Sequence, residues 1–178
     1  MALNEVAQTR TVQLRNRAQA FASVFLDLPS NPPPQILSTH FSPHPVIHEH
    51  GPSWSQSLLP FLGKTFSGRD ACLTYFELLG STLAFEPLED SFPGAKGFVV
   101  DPEARGEGDG GDQWGGGKGV VTVVGKGRFK AVGTGQGWEE RFVWVLSGFD
   151  EEGRIGRWDV WADPLSAWLA VKGEEVGK

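Results

Sequence analysis

The second half of the chain constrains the fold most. Residues 120–132, 136–149 and 154–162 are three runs rich in β-branched and aromatic side chains. Gly133-Thr134-Gly135 divides the first pair and Asp150-Glu151-Glu152-Gly153 the second, short breaks of the kind that join antiparallel strands. The pattern predicts a three-stranded meander. Alternation along the middle run puts Trp138, Glu140, Phe142, Trp144 and Leu146 on one face, and Glu139, Arg141, Val143 and Val145 on the other. Both faces carry apolar residues, which predicts a strand covered on both sides.

Helices precede this meander. Leu14, Ala18, Phe21, Phe25 and Leu28 recur at steps of four and three, one apolar stripe at helical period, with Thr11 as a plausible N-cap. Pro29 and the run Pro32-Pro33-Pro34 stop that helix, and a short turn or helix follows over 35–41. Residues 68–85 carry the broadest apolar helical face, including Tyr75 and Phe76. Asp163-Pro164 opens a last helix, with Asp as N-cap and Pro at the first helical position. Between the helices, residues 44–52 read as a short strand. Val46, His48 and His50 share one face of it, and Ile47 and Glu49 the other. This order, helices and short strands followed by a long antiparallel run, is an α+β layout.

At 178 residues, the chain has the length of one domain and reads as a single domain over 1–178. Within it, 103–119 holds eight glycines among Glu103, Glu107, Asp109 and Asp112. Such a segment has little to bury, so a flexible insertion is expected there. The net charge of −6, with no basic cluster, argues against nucleic-acid and anionic-membrane partners. One cysteine, Cys72, excludes an internal disulfide and sits in a helical apolar pattern, so a buried inert thiol is expected. No long apolar run marks a signal or a membrane span, and a cytoplasmic protein is expected.

The motif Thr134-Gly135-x-Gly137-Trp138-x-Glu140-x-Phe142 is followed by Phe149-Asp150-x-x-Gly153-x-Ile155 and Trp158-Asp159-x-x-x-Asp163. Together they resemble the closing hairpin of SnoaL-like proteins of the NTF2-like superfamily. Phe66-x-Gly68-x-Asp70-Ala71 resembles the same proteins' turn into their long helix. The resemblance spans residues 10–171 apart from the glycine-rich insertion. It implies a cone-shaped, curved antiparallel sheet, with the N-terminal helices packed on its concave face around a pocket. Members include polyketide cyclases, ketosteroid isomerases, limonene epoxide hydrolases, scytalone dehydratases and fungal natural-product isomerases, besides non-catalytic transport factors. In the cyclases the last-strand acid stands three residues before the terminal Asp. Here that position is Val160, and Asp159 stands four before Asp163, a shift that moves a strand side chain to the opposite face.

Chemistry on this scaffold needs a positioned carboxylate or His to move a proton, with aromatic walls around an apolar substrate. The catalytic candidates are Glu140, set between Trp138 and Phe142, together with Asp159 and one of His48 or His50. The substrate-binding candidates are Trp54, Phe76, Trp138, Phe142, Trp144 and Trp161. His48 and His50 lack a third ligand, so no metal is expected, and no cofactor. Two functions stay open. One is an enzyme of isomerase, cyclase, dehydratase or epoxide hydrolase type acting on a hydrophobic cyclic molecule. The other is a non-catalytic ligand-binding or protein-interaction domain. A homodimer paired through the outer sheet face is expected in either case.

Overall fold

A computed structural model of the chain describes residues 2–106 and 117–176. Most of the expected insertion, 107–116, lies outside the described residues. Its two flanks close on each other through a Gly119 N–H to Ala104 carbonyl bond of 2.9 Å.

Helix α1 (Ala2–Val24) buries Leu14, Ala18 and Phe21 against the sheet, and the stripe continues through Phe25 into a short 3-10 turn, Phe25–Ser30. It starts well before Thr11, whose hydroxyl instead donates back to the Ala7 carbonyl. Helix α2 (Pro33–His40) leads into β1 (Phe41–Glu49), then β2 (Thr65–Ser67) and α3 (Arg69–Thr82). The helix expected over 68–85 ends at Thr82, and Leu83–Glu86 forms β3 instead. There Phe85 pairs with Phe129, over a space that Gly127 leaves free, since a Cβ at Gly127 would collide with the Phe85 ring. Tertiary packing overrides helix propensity here.

β4 (Val99–Asp101) is followed by the expected meander, β5 (Val120–Ala131), β6 (Gly137–Ser147) and β7 (Ile155–Trp161). Helix α4 (Pro164–Lys172) closes the fold. The Asp163 carboxylate accepts from the Leu165 and Ser166 backbone N–H groups, as the sequence predicts.

Among the described residues, seven strands form one sheet in the order β2-β1-β7-β6-β5-β3, with β4 also paired to β5. The sheet is open and mixed, not purely antiparallel, because β1 runs parallel to β7. β6 lies inside it, between β5 and β7. The inner face is covered by α1, where Phe21 stacks edge-on against Trp158 and Phe25 against Trp144 at centroid distances of 5.1 and 4.8 Å. Four helices and a curved sheet make an α+β fold. No helix among the described residues is long and apolar enough to cross a membrane.

Candidate functional site

β6 presents Trp138, Glu140, Phe142 and Trp144 inward. Opposite them β5 offers Phe129 to Trp138, but glycines to the next two: Gly127 faces Glu140 and Gly125 faces Phe142. A Cβ at Gly125 would strike the Phe142 ring, so the glycines let large rings lie flat on the sheet. On the other side of β6, β7 brings Trp158 and Val160 inward, and the parallel register of β1 sets Ile47 beside Trp158 and Glu49 beside Val160. Helix α3 supplies Tyr75, Phe76 and Leu79 from above, and the turn after α1 supplies Phe25 and Leu28. These walls enclose a cavity of about 240 Å³.

Glu49, Glu140 and Asp163 line this cavity, and the Asp163 carboxylate is engaged in capping α4. Glu49, only 7% exposed, accepts a 2.7 Å hydrogen bond from the Tyr75 hydroxyl. Burial pushes its pKa up to about 7, and the Glu140 charge adds to that, against the opposing effect of the Tyr75 bond. Glu140 accepts from the Trp138 indole N–H at 2.7 Å. Its pKa is also pushed up to about 7, first by burial and then by the Asp163 charge, while the Trp138 bond acts in the opposite sense. Burial and Glu49 raise Tyr75 well above the usual phenol range, so its hydroxyl stays a donor. Among the described residues neither the Glu49 nor the Glu140 carboxyl has a cation beside it, since no Lys, Arg or His is among the described lining residues. Near neutral pH the pair can both give and take a proton, the requirement for acid/base work.

The other sequence candidates lie elsewhere. His48 and His50 point to the outer face, because the parallel pairing with β7 commits Ile47 and Glu49 to the inner one. His48 Nδ1 bonds Thr65 Oγ1 at 2.8 Å, and the His50 ring stacks on Trp161 at 3.9 Å. Asp159 lies on that same outer face. Its oxygens accept from Arg157 Nε at 2.6 Å and Nη2 at 2.8 Å, and its Oδ1 lies 2.9 Å from His50 Nε2. Val160, one residue on, is the β7 member that lines the cavity.

Of the aromatic candidates, Phe76, Trp138, Phe142 and Trp144 line the cavity. Trp54 is 68% exposed and packs edge-on against Trp168, and Trp161 is 40% exposed on the outer face. Glu49, Tyr75 and Trp158 are among the lining residues that sequence reasoning misses. The period-two pattern groups Glu49 with Ile47, and the strong burial tendency of Ile is the signal that this face turns inward. Cys72 is buried, and burial pushes its thiol up to about 12, so it is inert as expected. Among the described residues, no three His, Cys, Asp or Glu side chains gather as a metal site requires.

No family model and no curated protein matches the chain. Solved structures do. A candidate isomerase from Bacillus subtilis aligns over 94% of this chain and 99% of its own, with a TM-score of 0.61 at 15% identity. An NTF2-like protein from Burkholderia xenovorans aligns over 90% and 97%, with a TM-score of 0.60 at 12% identity. A candidate polyketide cyclase from Xanthomonas campestris aligns over 91% and 98%, with a TM-score of 0.56 at 13% identity. The chain therefore has the NTF2-like α+β fold, the one its SnoaL-like motifs imply.

Proposed function

We propose that this protein is a cofactor-independent acid/base enzyme that transfers protons to and from a hydrophobic, cyclic small molecule. The observation that carries the reading is one cavity lined by two carboxyl groups, buried Glu49 and half-buried Glu140, both raised to about 7 and set among the same aromatic walls. A binding module of this fold needs the apolar walls but not a costly pair of desolvated acids. Structural neighbours described as a candidate isomerase and a candidate polyketide cyclase fit the same class of chemistry. Trp138, Phe142, Trp144 and Phe76 hold the ring system, and Glu140 exchanges protons with it. The volume lies below the roughly 300–1,000 Å³ of drug-sized sites, which suits a ligand of two or three rings.

The test works with the substrate unidentified. A panel of cyclic ketones, alcohols and epoxides is incubated with the protein in D₂O, and deuterium on carbon or loss of water is read by mass spectrometry. Conversion by the wild type that vanishes in Glu140→Gln, with the fold intact, supports the reading. Conversion retained in that variant overturns it.

Two further elements belong to this reading. The outer face, with Val124 and Trp161 exposed, pairs with a second copy, so light scattering gives about twice 19.3 kDa. A single buried cysteine suits a cytoplasmic setting.

A further inference from the structure

We infer that the cavity is built to stabilise positive charge on the reacting carbon, and that its substrate is an uncharged cyclic alcohol whose hydroxyl sits on a tertiary, allylic or benzylic carbon. The inference rests on the acid/base reading above and adds the sign of the charge that develops.

A reaction through an enolate needs donors or a cation aimed at a developing oxyanion. This cavity has few to offer. Among the described residues its lining holds no Lys, Arg or His. The Tyr75 hydroxyl is committed to Glu49 and the Trp138 indole N–H to Glu140. The Asn31 amide gives one of its two N–H groups to the Asp27 carbonyl at 2.8 Å. The Trp158 Nε1–H is buried and has no hydrogen-bond partner among the described residues. Among the described residues that leaves a protonated carboxyl, the second Asn31 N–H and the buried Trp158 N–H, with no cation, for an oxyanion.

Positive charge meets the opposite situation. Phe85, Phe129, Trp138, Phe142, Trp144 and Trp158 contribute rings to the wall, whose π faces attract cations. Glu49 and Glu140 supply negative charge, with Asp163 behind Glu140. A site complementary to a transition state concentrates its electrostatics where that charge appears.

The step balances without a further reactant. The protonated member of the carboxyl pair gives its proton to the substrate hydroxyl. The C–O bond breaks, its electron pair leaves with water, and the carbon keeps the positive charge. The other carboxylate removes a proton from the adjacent carbon, and that C–H electron pair becomes the new double bond. One acid has lost a proton and the other has gained one. Exchange with solvent through Glu140, the less buried of the two, resets the pair.

Three saturated two-ring probes of matched shape test the sign. They are decahydroquinoline as the ammonium, 2-decalol as the neutral alcohol and decahydro-2-naphthoate as the anion. Binding is read by quenching of the tryptophan fluorescence at pH 8. The ammonium binds about tenfold more tightly than the alcohol, and the anion binds most weakly. The groups facing the probe are Glu49 on β1, Tyr75 on α3, Glu140 on β6 and Asp163 before α4. As pH falls through 7, Glu49 and Glu140 take up protons and the ammonium preference shrinks. Binding of the naphthoate as tight as that of the ammonium, or an ammonium no better than the alcohol, overturns the inference while leaving the acid/base reading standing. Ammonium preference with no conversion in the D₂O panel supports the sign and sinks the enzyme. No binding by any probe overturns both.

Discussion

The two faces of the sheet at β1 and β7 carry one buried carboxylate each and use them in opposite ways. Glu49 on the inner face is 7% exposed, and Asp159 on the outer face is 3% exposed. Asp159 sits in a two-point ion pair with Arg157 and touches His50. Glu49 has a phenol hydroxyl as its partner, a second acid within electrostatic reach and no cation. Equal burial therefore gives a structural anchor on one side and a proton-exchanging group on the other. The partner decides the role, not the depth.

The comparison breaks or holds first on turnover. Glu140→Gln and Glu49→Gln each keep a side chain of the same shape and remove the titrating group, so each lowers kcat by about 10²–10⁴. Asp159→Asn leaves kcat within about threefold once the folded fraction is accounted for, because its carboxylate faces away from the cavity. Equal losses in kcat for the inner and outer variants would erase the distinction.

Stability gives the next largest effect, and it falls on the outer face. Asp159→Asn takes the Asp159 charge away from the Arg157 guanidinium, which is 20% exposed. Denaturant unfolding at pH 7 should register a loss of about 3 kcal/mol, the usual cost of halving a buried pair.

Much of this was legible in sequence. The meander, the stripe from Leu14 to Phe25 and the Asp163 cap depend on neighbours within a few residues, and local periodicity encodes them. The Glu140 face was legible too, since Trp138, Phe142 and Trp144 alternate with it on one strand. The orientation of 46–50 was not. Both faces of that strand carry polar side chains, and the choice is made by pairing to β7, more than 100 residues away. That pairing turns Glu49 inward and sends His48 and His50 out. The end of α3 was hidden for a similar reason, because β5 captures residues 83–86 as a strand. The offset between Asp159 and Val160 was visible as a change of face, and it follows the alternation of β7.

The third effect is a gain. Glu49 titrates near 4.5 when unfolded and near 7 when folded. Below about pH 4.5 both states carry the proton, and the group contributes nothing to the pH dependence. As pH rises toward 7 the unfolded chain ionises first, so stability falls, and above about 7 the full cost of the buried charge is present. Glu49→Gln removes that cost. The variant should be more stable than the wild type by about 2 kcal/mol at pH 8 and no more stable at pH 4. A variant equally destabilised at both pH values would mean that Glu49 serves packing instead.

The smallest expected effect belongs to His50, and it separates the two faces most cleanly. Its ring makes one hydrogen bond to Asp159, whose two oxygens Arg157 already engages, a stack on Trp161 and an edge-on contact with His48 at 4.3 Å. Losing a third partner from a satisfied carboxylate costs less than losing the cation, and the stack lies at a half-open surface. His50→Ala should therefore cost about 1 kcal/mol in denaturant unfolding. Its kcat should stay at the wild-type value across pH 6–8, because the ring is on the far side of the sheet from Glu140. A histidine in the reaction would give the reverse signature, a large fall in kcat and the loss of one limb of the pH profile, at little cost in stability. That outcome would move the proton chemistry to the outer face, where His50, Asp159 and Trp161 sit together. Retained kcat in His50→Ala beside a lost kcat in Glu140→Gln would place the chemistry on the inner face.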